Sequence, residues 1–318
     1  MVAIVRGYDE AMVGAASNIR KASSVLILVV TLGWWTPGVW AQATASDQVA
    51  FAQPLPDIDV GQLMHEVEAR QKAAEAIEKD YLYHAVDRVE QLDRQGKVKK
   101  TQTKEYDVFW MEGVPVRKLT RKDGRALSAD EQRKESERID KAVKKAREKR
   151  AKAEAKGEVT DPNGDEEVTV SRLLELGRFG NARRVTLDGR RTIAVDFTGD
   201  PKAETRNRME AVIRDTAGTV WVDEQDLALA RVEGHFLKSF KIGAGLVVNI
   251  EKGTSFSMVQ RKVNGEVWLP ERIEGRGAAR AFLLFSFRGN FREIDSDYRK
   301  FKVTTTILPG MGKVEEEK

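Results

Sequence analysis

Two hydrophobic periodicities divide this chain. From Gly218 to Phe301, short runs rich in Val, Phe, Trp and Ile alternate with polar residues at period two. The runs break at Glu224-Gln225-Asp226, Lys252-Gly253, Asn264-Gly265 and Arg276-Gly277, where turn residues accept positive φ. This pattern predicts an antiparallel meander with strands over 219–223, 227–240, 244–252, 255–263, 266–274 and 279–294, and a further strand over 298–306. Upstream, 81–93, 100–111 and 114–119 predict three antiparallel strands, with Pro115 suited to an edge or a strand start. A hairpin is predicted from 184–187 and 191–197, turning at Asp188-Gly189.

Helical spacing governs the rest. Val60, Leu63, Val67, Ala74, Ile77 and Tyr81 fall on one stripe, with Asp57 or Asp59 placed to cap it. A short helix is expected over 169–179, stopped at Gly177, and another over 202–216 with Pro201 in its first turn. Residues 129–156 differ in kind. They carry eleven Lys/Arg and seven Asp/Glu, Ser128 or Asp130 as a cap, and an apolar strip of only Ile139, Val143 and alanines. This stretch reads as a solvated insertion helix held by i,i+4 ion pairs. Its functional alternatives are a basic arm for anionic lipid or a docking helix for an envelope partner.

Together these elements predict an α+β fold. It is an incomplete antiparallel β-barrel, a curved sheet of about ten or eleven strands, with helices covering its concave face and a long charged insertion helix. The expected organisation is a flexible leader over 44–56 and one half-barrel domain over 57–308. An insertion over 129–167 interrupts that domain, and a disordered tail over 309–318 follows it.

Composition narrows the class. The 318 residues are 41% hydrophobic and 33% charged, with a net charge of +4. That small excess comes without a nucleic-acid reading module, so no nucleic-acid partner is expected. There is no cysteine, which excludes disulfides, thiolate chemistry and lipidation on an N-terminal cysteine. Near the start, Arg20 and Lys21 precede the apolar run 25–35, which Pro37 and Gly38 end before Ala41-Gln42-Ala43. A basic region, a short apolar core and an A-x-A site predict a secretory signal peptide over 1–43, cleaved after Ala43, and a periplasmic product. The core is too short to span a bilayer readily, since a span takes about twenty residues. Met12 is an alternative start.

The sequence Gly218-Thr-Val-Trp-Val-Asp223, followed by Ala230-Arg-Val-Glu233, resembles the LolA-like superfamily of periplasmic lipoprotein and lipid carriers. The order of signal peptide, amphipathic helix, strands, helix and long meander is similar too. The resemblance is best over 190–302. It implies a half-barrel with a helical lid around an acyl-chain cavity.

Motifs for chemistry are sparse. His65, His84 and His235 are the only histidines, and none has a second histidine at ligand spacing, so no metal is expected. The order Asp161, Asn163, Asp165 lacks the spaced Glu and sixth-position Gly of a calcium loop. There is no nucleophile elbow, P-loop or zinc-protease motif, and Gly243-Ala-Gly245 reads as a bulge. Asp223, Glu224 and Asp226 cluster at a turn with nothing to separate their pKa values. No enzyme and no cofactor are expected.

Period-two counting nominates a ligand-lining set: Val108, Trp110, Ile193, Val195, Phe197, Phe256, Met258, Val267, Leu269, Leu283, Phe285 and Phe287. The expected role is a periplasmic carrier holding an acyl ligand, a lipid or a lipidated protein, in a half-barrel cavity. The alternative is a non-catalytic envelope interaction or sensor module with a filled core, docking a partner through 129–156. An outer-membrane barrel is disfavoured by the charged strands and the Glu-Glu-Glu-Lys end.

Overall fold

A computed structural model describes residues 50–157, 160–164, 168, 170–242, 248–281 and 285–301. The segment expected to be a signal peptide, Asp165, the glycines at 243 and 245, Leu283 and the tail lie outside them.

Strand β1 (Ala50–Pro54) precedes helix α1 (Val60–Glu78). Four strands follow: β2 (Tyr81–Leu92), β3 (Val98–Met111), β4 (Val114–Lys122) and β5 (Arg125–Ala126). Helix α2 (Ala129–Glu154) and helix α3 (Val170–Leu176) lead into β6 (Gly177–Leu187) and β7 (Arg190–Gly199). After helix α4 (Arg208–Arg214) comes the meander: β8 (Thr216–Asp223), β9 (Ala228–Phe236), β10 (Phe240–Ile242), β11 (Val248–Ile250), β12 (Ser255–Val263), β13 (Val267–Ala281) and β14 (Phe285–Lys300).

The strands form one 14-stranded antiparallel sheet in the order β1-β6-β7-β8-β9-β12-β13-β14-β2-β3-β4-β5, with the β10–β11 hairpin attached to β13. β1 and β5 end the path without pairing to each other, so the sheet is open, an incomplete barrel as expected. The strand count exceeds expectation because three short pieces join it. Ala50–Pro54, within the leader expected to be flexible, pairs with β6. The two-residue β5 and the β10–β11 hairpin are the others. The meander's last strand also differs, because β14 runs unbroken through Lys300 along β2.

Local chemistry sets the helix ends. Asp59 accepts from the Gln62 amide at 2.9 Å and caps α1. Ser128 and Glu131 close a reciprocal capping box on α2. The helix expected over 202–216 is shorter, because Asn207 caps it by accepting from the Glu210 amide at 2.9 Å. Pro201 therefore lies in a turn before α4.

The main core lies between the sheet and three helices. Leu63, Met64 and Val67 of α1, Leu173 and Leu176 of α3, and Val212 and Ile213 of α4 pack on Val195, Val220, Val222 and Val232. Arg172 joins α3 to α4 by donating to both oxygens of Glu210 at 2.9 Å. Helix α2 packs elsewhere. Its strip of Ile139, Val143 and Ala146 covers Val114 and Val116 of β4, flanked by Phe109 and Met111 of β3. By strand alternation Phe109 and Met111 face away from Val108, so α2 lies on the opposite side of the sheet from the other helices.

Candidate functional site

Residues directly opposed in an antiparallel pair share a face, so the register divides the sheet into transverse rows. One row on the helix-covered face reads Val195, Val220, Val232, Met258, Ile273, Glu293 and Asp87 from β7 to β2. The next reads Phe197, Gly218, Gly234, Phe256, Gly275, Phe291 and Val89. Here glycine makes room for rings: a Cβ on Gly234 would lie 2.3 Å from Cζ of Phe256.

The twelve nominated residues fall in several places. Ile193, Val195, Phe197, Phe256 and Met258 come together in the main core, all buried beneath the helices. Val267 and Leu269 belong to a separate cluster with Tyr81 and Val263, covered by Ala74 and Ile77 of α1. Val108 joins a third with Tyr83, Ala85 and Tyr106. Trp110 is only half-buried, with the Lys79 ammonium 5.6 Å from its ring centroid. Phe285 and Phe287 sit on β14 opposite Ala281 and Ala279. Nine of the twelve are thus spread over three clusters and one half-buried position.

A cavity of about 910 Å³ does exist, walled by charged and polar side chains together with Phe197, Phe256 and Phe291. It is a trough on the sheet face away from α1, α3 and α4. One transverse row contributes Asp196, Thr219, Glu233, Ser257, Glu274, Arg292 and Arg88; the next contributes Thr198, Ala217, His235, Ser255, Arg276, Asn290 and Glu90. These are the polar positions of the same period-two strands whose apolar positions were nominated. Their signal was present as the complement of the apolar pattern.

The carboxylates of this trough are held. Arg183 donates to Asp196 at 3.0 Å, Arg292 to Glu274 at 2.6 Å, and Arg88 to Glu90 at 3.0 Å. Arg231, which also lies over the Trp221 ring, pairs with Glu233.

The Asp223, Glu224 and Asp226 cluster proves to be turn architecture. Asp223 accepts from Arg190 at 2.5 and 2.9 Å and from the amides of Gln225 and Asp226. Asp226 accepts from Lys262 at 2.8 Å and from the Trp268 indole at 2.9 Å. Arg184 and Arg191 hold Glu224. Each carboxylate in the Gly218–Asp226 stretch already has a fixed cation, so the motif builds the β8–β9 turn. Among the described residues, no group of three or more His, Asp or Glu side chains is arranged to hold a metal ion.

A second charged group lies inside the sheet. Asp87, Glu293 and Asp295 are buried on the helix-covered face. Arg117 reaches both Asp87, at 2.7 Å, and Glu293, at 3.0 Å. Burial, partly offset by Arg117 and reinforced by Glu293, pushes the Asp87 carboxyl up to about 7.

No protein-family model and no curated protein matches the chain. Among solved structures it is similar to a putative outer membrane lipoprotein-sorting protein domain from Vibrio parahaemolyticus. The two share 10% identity over 78% of this chain and 94% of that one, with a TM-score of 0.37. It is also similar to MucB in complex with MucA(peri), at 10% identity over 77% of this chain and all of that one, with a TM-score of 0.19. The Pseudomonas aeruginosa MucA/MucB complex gives 8% identity, 76% and 99% coverage, and a TM-score of 0.20.

Proposed function

We propose that this is an exported, non-enzymatic binding protein of the cell envelope whose sheet is a filled scaffold and whose partner docks on an outer surface. One observation carries the reading. The apolar face under α1, α3 and α4 is packed, with Val195, Val222, Leu173, Leu176 and Phe236 at 0% exposure. A site that binds a ligand by apolar burial needs concave apolar surface within reach of it. The large cavity here is lined mostly by charged and polar residues of the other face, with only Phe197, Phe256 and Phe291 of the core reaching it. Helix α2 is the surface best placed for a partner. Its apolar strip is spent on β4, so Lys141, Lys144, Lys145 and Lys152 point outward from a fixed support. The basic, apolar and A-x-A segments of residues 20–43 support export.

Acyl carriage is the second reading, and one feature favours it. α1 and α3 lie on the sheet chiefly through apolar side chains, and packing of that kind re-forms around an acyl chain if the helices lift. The Val170 amide, donating to Glu68 at 3.2 Å, ties α1 to α3 so that they would move together. Each buried CH₂ of a ligand would contribute about 0.8 kcal/mol.

The test is native mass spectrometry of residues 44–318, purified from periplasm without detergent, with lipid extraction of the same sample. The filled-scaffold reading expects an unliganded mass and no uptake of an added fatty-acyl probe. A bound phospholipid or acylated peptide would replace it with the carrier reading.

A further inference from the structure

The trough on the open sheet face sets charged and polar side chains beside Phe197, Phe256 and Phe291, and its charges are unevenly committed. Four arginines and four carboxylates line it. Two further arginines approach from outside the lining: Arg231 holds Glu233, and Arg272 lies 3.6 Å from Glu274. Arg183, Arg292 and Arg88 hold the rest. Arg276 is left exposed, with no ion-pair partner among the described residues. Ser255 and Asn290 oppose it on the two neighbouring strands, and His235 opposes Ser255 one strand further.

The Asn290 carboxamide donates to Glu90 at 3.1 Å, so the Arg276 guanidinium and the Ser255 hydroxyl supply the seat for an anionic oxygen group. Beyond that seat the walls alternate arginine–carboxylate pairs with Thr219 and Ser257, and so present donors and acceptors side by side. Hydroxyl groups use both kinds at once, whereas an acyl chain uses neither. The volume, about 910 Å³, is at the upper end of small-ligand pockets and admits a short chain rather than a single small ion.

We infer that this trough binds an anionic saccharide, a hydroxyl-rich chain whose acid group sits on Arg276 between Ser255 and Asn290. The site is separate from the α2 surface, and it does not depend on either reading of the function.

Calorimetric titration of the purified chain with three probes tests this: tetragalacturonate, neutral maltotetraose and citrate. Tetragalacturonate is expected to bind about tenfold or more tighter than maltotetraose, as a charged hydrogen bond supplies. Citrate is expected to bind more weakly than tetragalacturonate. Arg276→Gln should remove the preference for the acidic chain, and Ser255→Ala should weaken it, in proteins whose melting is unchanged. Lys144→Glu on α2 should leave it intact. Equal binding of the acidic and neutral chains would overturn the proposal. So would citrate binding as tightly as tetragalacturonate, no binding of any probe at millimolar concentration, or no loss in both Arg276→Gln and Ser255→Ala.

Discussion

Arg117 on β4 reaches across β3 to donate to Asp87 on β2 at 2.7 Å, with its guanidinium 4.3 Å from the Tyr106 ring centroid on the strand between. Glu293 on β14 sits directly opposite Asp87 and 3.0 Å from the same guanidinium. One buried cation therefore serves two buried carboxylates, and Asp87, raised to about 7, keeps its proton through the acidic range. In the unfolded chain that carboxyl titrates near its ordinary value of 3.8. The fold thus binds a proton more tightly than the unfolded chain. The stability from this group is fully present below pH 3.8 and is lost as pH rises towards 7. Thermal melts between pH 5 and 8.5 should show that loss. Asp87→Asn, neutral at every pH, should flatten the slope and raise stability at pH 8 relative to the native chain.

Removing the cation tests the same cluster from the other side. Arg117→Met leaves two facing carboxylates buried without it, a change that typically costs about 3–5 kcal/mol. Denaturant unfolding should report a loss of that order at pH 8 and a smaller one at pH 5, where Asp87 holds its proton. An equal loss at both pH values would show that the two carboxylates do not share one cation.

Gly234 gives a packing prediction. Its place opposite Phe256 leaves no room for a Cβ, which would lie 2.3 Å from Cζ and 2.8 Å from Cε1 of that ring. Gly234→Ala should destabilise by about 1–3 kcal/mol, the range for overpacking a filled core. Pairing it with Phe256→Leu should recover part of the loss in the same unfolding assay.

Helix α2 rests on its own small cluster, apart from the main core. Val143→Ala should therefore act locally. Hydrogen exchange over 129–154 should rise by an order of magnitude or more, as expected for loss of a buried side chain at about 2 kcal/mol. Exchange in β8 and β9 should stay unchanged. A rise throughout the sheet would mean that α2 and the core unfold as one unit.

Asp223 should behave as a turn residue. Asp223→Ala removes acceptors for Arg190 and two backbone amides, a loss of about 2–4 kcal/mol for a buried, charge-assisted site. Its signature is a lower melting temperature, with saccharide binding in the trough retained by the protein that remains folded.

Short-range information was enough for much of this molecule. Period two marked the strands because alternate side chains point to opposite faces, so a half-buried strand writes its burial into the sequence. The stripe from Val60 to Val67 and the cap at Asp59 marked α1 for the same local reason. The Asn207–Glu210 cap is equally local, and it starts α4 later than Pro201 suggests. What tertiary structure alone decided was partnership. β9 pairs with β12, β14 with β2 and β1 with β6, all across long separations that no local pattern specifies. Those pairings set His235 beside Ser255 and Glu90 beside Asn290. They also chose which face the helices cover, because packing of distant side chains decides whether an apolar row becomes a core or a cavity. Alternation told the two faces apart. Only the folded sheet made one a filled interior and ran the charged and polar rows of the other along a trough.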